Sequence, residues 1–248
     1  MQHLLRRKII FISIIILIIP FTGFSQLRYT PNQEEHDDKA IRFGINFGYN
    51  QSHFNFSHSQ QFLNQLTPPN DSVLDIESLN SVGLNLAWLV NFNLSPHFDI
   101  RTFPIDLTFA ERVFEYTLSM PVASEGETKI TDKRIQSIVL SLPVQLEFSS
   151  DRINNFKVYT ILGGRVDDDL TSNSGDVNNG ATVSLKKLNV SVEGGVGFHL
   201  YFPYFVLSPE LKLGWGLSNL QQKSENTKYS NTIDRINSRM ITFSLTVE

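Results

Sequence analysis

Hydrophobic and polar residues alternate along most of this chain with a period of two. The first run is the clearest: from residue 41 to 50 the odd positions are Ile, Phe, Ile, Phe and Tyr, and the even positions are Arg, Gly, Asn, Gly and Asn. Successive side chains of a β-strand point to opposite faces, so the pattern predicts a strand with one apolar and one polar face. Seven further runs follow at about 82–94, 98–118, 138–148, 156–166, 188–202, 205–217 and 238–248.

The connections between these eight runs alternate between short and long. The short ones are Ser95–Pro96, Ser149–Asn155 and Pro203–Tyr204, and the long ones are 53–81, 120–133, 167–181 and 218–237. Short turns at one end and long loops at the other are typical of outer-membrane barrels with an even number of antiparallel strands. We therefore predict an all-β fold, an eight-stranded antiparallel transmembrane β-barrel over residues 41–248, in the outer membrane.

The N-terminus has the pattern of a targeting segment. Three basic residues at 6–8 precede an apolar run at 9–21 that is shorter than the ~20 residues a membrane-spanning helix needs. Small residues before Gln26 predict a Sec-type signal peptide, residues 1–25, although an uncleaved anchor is the alternative. Residues 26–40 are polar and are predicted to form a short, flexible periplasmic segment.

Composition excludes several classes of protein. The net charge is −4 and the chain has no cysteine. Disulfides, thiolate metal sites and a lipoprotein anchor are therefore excluded, and no general attraction to nucleic acid is implied. We expect no cofactor and no small-molecule substrate, and we expect outer-membrane lipid to surround the barrel.

The polar faces of the predicted strands carry charges of both signs. These inward-facing residues are Arg42, Asp106, Gln145, Glu147, Lys157, Arg165, Glu193, His199, Glu210 and Lys212. Unpaired charges in a narrow barrel are costly, so we predict a cross-strand salt-bridge network. Its main members are Arg42, Glu147, Arg165, Glu193, Glu210 and Lys212. Eight strands leave an interior filled by side chains, which favours a structural role for the network over an ion or proton path.

Other local patterns carry little chemistry. Ser52, His53 and His58 lie near the predicted outward end of the first strand, where some barrels carry a catalytic group, but no nucleophile motif accompanies them. Asp167–Asp169 with Asp176 lack the spacing of a calcium loop. The aromatic residues predicted to form interface girdles are Tyr49, Trp88, Phe92, Phe148, Phe202, Phe205 and Trp215.

Four stretches go beyond this general pattern: residues 98–118, 149–174, 201–220 and 228–248. Together they resemble the PorT family, also called SprT in gliding bacteria, an outer-membrane β-barrel family of the Bacteroidetes. The resemblance implies a component of the type IX secretion system, which exports proteins across the outer membrane and delivers surface adhesins in gliding members. It implies a supporting or assembly role with other secretion proteins as partners, and it carries over no catalytic residues.

The resemblance also points to candidate partner contacts. Asn231, Asp234, Arg235 and Asn237 are polar and lie in the fourth predicted long loop, within a stretch similar to the family. They either contact a partner or only order the loop over the barrel. Three other functions stay open: a structural or adhesive outer-membrane barrel unrelated to secretion, an outer-membrane lipid-modifying enzyme, and a soluble ligand-binding barrel with its apolar face inward.

Overall fold

The computed structural model describes residues 31–58, 73–79, 81–118, 128–171, 186–221 and 233–248. From Asn32 onward the chain forms one compact unit. Within the described ranges, no helix is both long and apolar enough to cross a membrane. The predicted signal peptide and its cleavage site lie outside these ranges, as do Asp176 and Asn231.

Nine strands occur in the described parts of the chain. They are β1 (Ile41–His58), β2 (Val73–Leu79), β3 (Ser81–Ser95), β4 (Phe98–Leu118), β5 (Ile130–Ser149), β6 (Phe156–Asp169), β7 (Leu188–Tyr201), β8 (Val206–Gly216) and β9 (Ile233–Val247). Every neighbouring pair is antiparallel, β9 returns to pair with β1, and the pairing of β4 with β5 completes the ring. Because β2 and β3 pair with successive parts of β4, they occupy one position. The predicted eight-stranded antiparallel barrel is confirmed.

The two faces of the barrel follow the alternation in the sequence. In β1 the apolar odd residues are exposed on the outside, with Phe43 at 61%, while Arg42 and Asn46 on the inside are buried. All seven aromatic residues assigned to the girdles are exposed on the outer surface. A soluble barrel would place this apolar face inward, so the observed orientation favours the membrane barrel.

A β-bulge in β4 reverses the side-chain alternation near Pro104. The register of β4 shifts between Thr102 and Asp106 against β5, and a shift also occurs against β3. Before the bulge, Phe103 points inward and is 1% exposed, whereas Ile105 after it points outward. The alternation in the sequence predicts that Phe103, Ile105, Leu107 and Phe109 share one face. This prediction is wrong for Phe103, because one extra residue moves the following side chains to the opposite face.

Several strands extend further towards the long-connection end than the pattern predicted. Residues 53–58 and 73–79 are strand rather than loop, β5 begins at Ile130, β6 continues to Asp169, and β9 begins at Ile233. In these extensions the inner face is still buried, with Phe54 2% and Ile236 0% exposed. The outward-facing residues, such as His53 and Asn55, are polar, as expected beyond the hydrocarbon layer, so the apolar-out pattern ends while backbone pairing continues. Hydrophobic periodicity consequently detects the membrane-embedded part of each strand and misses its polar end.

Candidate functional site: the lumenal charge network

Arg101 of β4 lies at the centre of the barrel interior and is 1% exposed. Its Nη1 donates to Glu147 Oε2 at 3.0 Å and to Glu210 Oε2 at 3.0 Å, and its Nη2 donates to Glu210 Oε1 at 2.9 Å. One guanidinium therefore binds two buried carboxylates, from β5 and β8, on different walls of the barrel. Charge-assisted bonds of this kind are among the strongest hydrogen bonds in proteins.

Neutral and titratable groups extend this centre to further strands. His199 Nε2 lies 2.9 Å from Glu147 Oε1, and its Nδ1 lies 2.6 Å from Ser208 Oγ. Thr246 Oγ1 donates to Glu210 Oε1 at 3.1 Å, and Asn46 Nδ2 donates to Thr246 Oγ1 at 2.7 Å. The network thereby joins β1, β4, β5, β7, β8 and β9 through side chains, in addition to the backbone pairing of neighbours.

Aromatic rings fill the remaining space around the central cation. The Arg101 guanidinium carbon lies 5.5 Å from the ring centroid of Tyr159 and 5.6 Å from that of Phe103. Lys212 Nζ lies 5.2 Å from the Phe103 ring, and Tyr159 stacks on His199 with 4.3 Å between centroids. The centre of the barrel is thus packed with side chains, and cation–π contacts add to its ion pairs.

A second group of charges lies nearer the long-connection end. Arg165 Nε is 2.8 Å from Asp167 Oδ1, and Arg165 Nη1 is 3.8 Å from Glu193 Oε2. Gln145 Nε2 donates to Glu193 Oε1 at 2.5 Å, and Asn189 Nδ2 donates to Asp167 Oδ2 at 3.0 Å. Carboxylates in this group are therefore matched by donors from β5, β6 and β7.

The six main residues of the predicted network line the interior in three places rather than one. Glu147 and Glu210 share Arg101, whereas Arg165 and Glu193 form the second group. Lys212 contacts Phe103, and Arg42 lies at the short-turn end, where Arg42 Nη2 donates to Asp99 Oδ2 at 2.6 Å. The inward-facing residues Asp106, Gln145, Lys157 and His199 are buried as well.

Sequence reasoning missed the central residue, Arg101. Arg101 and Phe103 are two residues apart, so they lie on the same face of the strand. An uninterrupted alternation would place that face against lipid. Asp167 was missed because the predicted loop began there, although it lies inside β6 and is 5% exposed. Two signals were available: Pro104, since a proline within a strand fits a bulge or weak pairing, and the cost of placing the Arg101 guanidinium in lipid.

The polar N-terminal segment, residues 32–40, packs against the short-turn end of the barrel. Asp37 accepts a hydrogen bond from Tyr201 Oη at 2.7 Å. The same carboxylate lies 3.6 Å from Arg42 Nη1 and 3.8 Å from Arg152 Nη1. Asn93 Nδ2 also donates to the backbone carbonyl of Asp37. This carboxylate therefore joins the N-terminal segment to β1, to β7 and to the turn between β5 and β6.

Arg152 and Asn155, in the turn between β5 and β6, hold the beginning of the same segment. The Arg152 guanidinium lies 3.6 Å from the centroid of the Tyr201 ring and donates to the backbone carbonyl of Asn32. The backbone N–H of Asn32 donates to Asn155 Oδ1 at 2.8 Å, and Asn32 Nδ2 donates to the carbonyl of Tyr201 at 2.9 Å. The segment predicted to be flexible therefore has specific polar partners at the barrel end.

The N-terminal segment also reaches the junction of the first and last strands. Glu248, directly after β9, has a carboxylate oxygen 3.5 Å from Arg42 Nε and 3.8 Å from His36 Nε2. His36 is 7% exposed, and its ring lies edge-on to Tyr201 at 5.9 Å. The short-turn end of the lumen is therefore covered by residues that also connect the two chain ends of the barrel.

The environment of Asp37 stabilises its charged form. Burial raises the pKa of the Asp37 carboxyl, whereas hydrogen bonds with His36 and Tyr201 lower it. The positive charges of Lys157 and Arg42 lower it further, so that the pKa lies below its ordinary value of 3.8. Because the pKa is lower in the folded state, the ionised Asp37 carboxylate contributes in full to the stability of the fold above pH 3.8. This contribution is lost as the pH falls through the lowered pKa.

We expect Asp37→Ala to release the N-terminal segment from the barrel. The substitution removes the acceptor shared by Tyr201, Arg42 and Arg152, so the backbone after Lys39 becomes accessible to trypsin. The check is the rate at which a product beginning at Ala40 appears during trypsin digestion of the folded barrel in detergent. Asp38→Ala is the matched control, because Asp38 is exposed. Equal cleavage rates for the two variants would contradict the assignment.

The other candidate residues are separated by the fold. Ser52 points inward and His53 outward on successive positions of β1, so they do not form a catalytic pair. Within the described ranges, no group of three or more His, Asp or Glu residues could hold a metal ion.

Asp234, Arg235 and Asn237 lie in β9, not in a loop. Asp234 and Arg235 are exposed, whereas Asn237 Nδ2 donates to the carbonyls of Gly216 and Ser218.

Comparison with known proteins adds two similar solved structures. One is Ail, the attachment invasion locus protein of Yersinia pestis, in complex with the heparin analogue sucrose octasulfate, at 17% identity over 84% of this chain and 99% of that chain, with a TM-score of 0.38. The other is Neisserial surface protein A, at 11% identity over 84% of this chain and 99% of that one, with a TM-score of 0.34. No curated protein matches the chain.

A family model described as outer membrane protein beta-barrel domain matches residues 24–222. This match covers most of the chain and agrees with the closed antiparallel ring and its apolar outer surface. The chain therefore belongs to the outer membrane protein β-barrel domain family and is a barrel of the outer membrane.

Proposed function

We propose that this chain is a non-enzymatic supporting component of the type IX protein secretion system, working with other proteins of that system in the export of cargo and surface adhesins. The observation that carries a supporting role is the filled lumen. Arg101, Glu147 and Glu210 close its centre, and the N-terminal segment covers one end. A cargo protein does not pass through such an interior, so this barrel acts through its outer surface and its ends.

The assignment to type IX secretion rests on the resemblance of four stretches to the PorT/SprT family. Two of these stretches include residues that build the short-turn end: Arg152 in the stretch 149–174 and Tyr201 in the stretch 201–220. Next to them, Asp151 has an exposed side chain and Ile153 is 70% exposed. With the short turns on the periplasmic side, as is usual for these barrels, this end is available to a periplasmic partner.

The long-connection end offers a second contact region in this proposal. Asp234 and Arg235 are exposed at the beginning of β9 and remain the candidate partner contacts there, together with Asn231. Asn237 has a structural role as well, since its amide holds the end of β8 through the carbonyls of Gly216 and Ser218. Lipid contacts the exposed apolar band, and a signal peptide cleaved before Gln26 delivers the chain to the periplasm.

A clean deletion of the gene is expected to stop export. Proteins that carry type IX export signals should disappear from the medium and the cell surface and accumulate in the periplasm, because a supporting barrel would be missing from the machinery. The measurement compares these three fractions by quantitative mass spectrometry in the wild type, the deletion strain and the complemented strain.

Two further strains make this test specific. Complementation with Arg235→Ala should reduce export if β9 contacts a partner, whereas Lys187→Ala, at a similarly exposed position at the same end of the barrel, should restore it fully. Unchanged export in the deletion strain would refute the secretion role and favour a structural or adhesive barrel. Altered lipid A or phospholipids with normal export would favour an enzyme instead.

A further inference from the structure

A cavity of about 60 Å³ lies in the lumen on the long-connection side of the charge network. Its lining includes Asn50 of β1, Arg165 and Asp167 of β6, Asn189 of β7 and Lys186 before β7. A smaller space of about 10 Å³, towards the barrel centre, is lined by Asn50 together with Asp106, Glu193 and Lys212. Asn50 thus lies at the junction of the two.

Asn50 is buried without a hydrogen-bond partner in the described protein. Asn50 is 1% exposed, and neither its Nδ2 nor its Oδ1 forms a hydrogen bond with a described residue. Buried amides in folded proteins are nearly always bonded to protein or to an ordered polar molecule. The larger cavity has room for roughly four water molecules or one small polar ligand. The unpartnered Asn50 amide and the cavity beside it together favour a polar occupant with both an acceptor and a donor.

The charges of the cavity wall favour an anion as that occupant. The Asp167 carboxylate already accepts hydrogen bonds from Ser141 Oγ at 2.6 Å, from Asn189 Nδ2 at 3.0 Å and from Arg165 Nη2 at 3.3 Å. Asp169 accepts from Ser137 Oγ at 3.0 Å and from Thr171. The carboxylates of the cavity wall therefore already accept hydrogen bonds from side chains of the protein.

Positive charge remains available on the same wall. Lys186 lines the cavity and forms no ion pair with a described residue. Lys187 lines it as well, although it is paired with the partly exposed carboxylate of Asp168 at 3.6 Å. Cations at the rim of a narrow, low-dielectric space attract small anions strongly. The site lies inside the barrel, so the headgroups of membrane lipids do not reach it.

We propose that this cavity binds a small oxyanion that retains a hydroxyl group, with monohydrogen phosphate as the ligand that fits its chemistry. The phosphate oxygens accept from Asn50 Nδ2 and face Lys186, and the phosphate O–H donates to Asn50 Oδ1. Sulfate has the same shape but no hydroxyl at neutral pH, so it leaves Asn50 Oδ1 without a partner. This proposal is independent of the secretion role.

Titration of the full mature chain, folded in a zwitterionic detergent, with inorganic phosphate tests the site. We expect saturable binding by phosphorus-31 NMR and by calorimetry, and weaker binding of sulfate. Asn50→Leu should weaken phosphate binding at least about tenfold, because it removes both polar contacts. Lys186→Gln, at an exposed position that the fold tolerates, should weaken it as well.

Asn91→Leu is the matched control. Asn91 is 0% exposed and its amide is equally without a described partner, but it lines neither space. Phosphate binding should be unchanged in this variant, while Asn50→Asp, which keeps the size and adds a negative charge, should abolish it. Absence of saturable phosphate binding to the wild type, or equal binding by Asn50→Leu and Asn91→Leu, would overturn the proposal.

Discussion

Replacing Arg101 with leucine is expected to lower the free energy of unfolding by about 3–5 kcal/mol, since removal of one partner from a buried ion pair leaves charge buried without compensation. Glu147 and Glu210 are 0% and 1% exposed, and Arg101 donates to both. The partial compensation from His199 and Thr246 remains, so the barrel still folds. Equilibrium unfolding in urea, in detergent micelles or lipid vesicles, measures this change.

Two further variants separate lost charge balance from lost packing. Adding Glu147→Gln and Glu210→Gln to Arg101→Leu removes the uncompensated charges and should recover much of the lost stability. Arg235→Leu, at an exposed position of β9, should change the free energy of unfolding by less than about 0.5 kcal/mol. If the triple variant is no more stable than Arg101→Leu, packing of the guanidinium rather than charge balance accounts for the effect.

Gly197→Ala is expected to destabilise the barrel by about 1–3 kcal/mol, because it forces an extra methyl group into a filled interior. Gly197 pairs directly with Tyr159, whose ring covers it, and a Cβ atom there would lie 2.5 Å from Tyr159 Cζ. The ring cannot easily move, because it stacks on His199 and lies against Arg101. The same urea unfolding experiment measures the loss.

Gly194→Ala on the same strand is the control for this prediction. The nearest atoms to its added Cβ would be 3.7 and 3.9 Å away, an ordinary contact, so stability should hardly change. A double-mutant cycle identifies the cause: in a Tyr159→Ala background Gly197→Ala should become much less costly, because the ring is gone. An equal cost in both backgrounds would show that the backbone of β7, rather than Tyr159, requires glycine.

Both predictions concern the same structural feature, the packing that fills the barrel interior. Arg101 connects β4, β5 and β8, and Gly197 gives Tyr159 the space to pack beside it. Loss of either contact weakens the centre of the lumen, while the N-terminal segment still covers the short-turn end.

Alternation in the sequence was sufficient to predict the class of fold and the facing of most strand residues. In β1 the odd residues from Ile41 to Tyr49 are exposed and their even neighbours are buried, as the period of two requires. The reason is physical: in a transmembrane strand each face meets a different environment, so each face has its own composition. Towards the long-connection end the outward-facing residues are polar, as at His53 and Asn55, so the apolar-out pattern ends there and the pairing was missed.

Only the tertiary structure shows which charged side chains pair with one another in the lumen. Arg101 lies 46 residues from Glu147 and 109 from Glu210 along the chain, and only the closed ring brings the three together. The bulge at Pro104 decides that Arg101 points inward, a reversal that the periodicity did not reveal. The sequence by itself thus determined the barrel and its polar interior, because both follow from local alternation. Only the tertiary structure decided the central ion pairs, the fixed N-terminal segment and the cavity at Asn50, because these depend on contacts between distant strands.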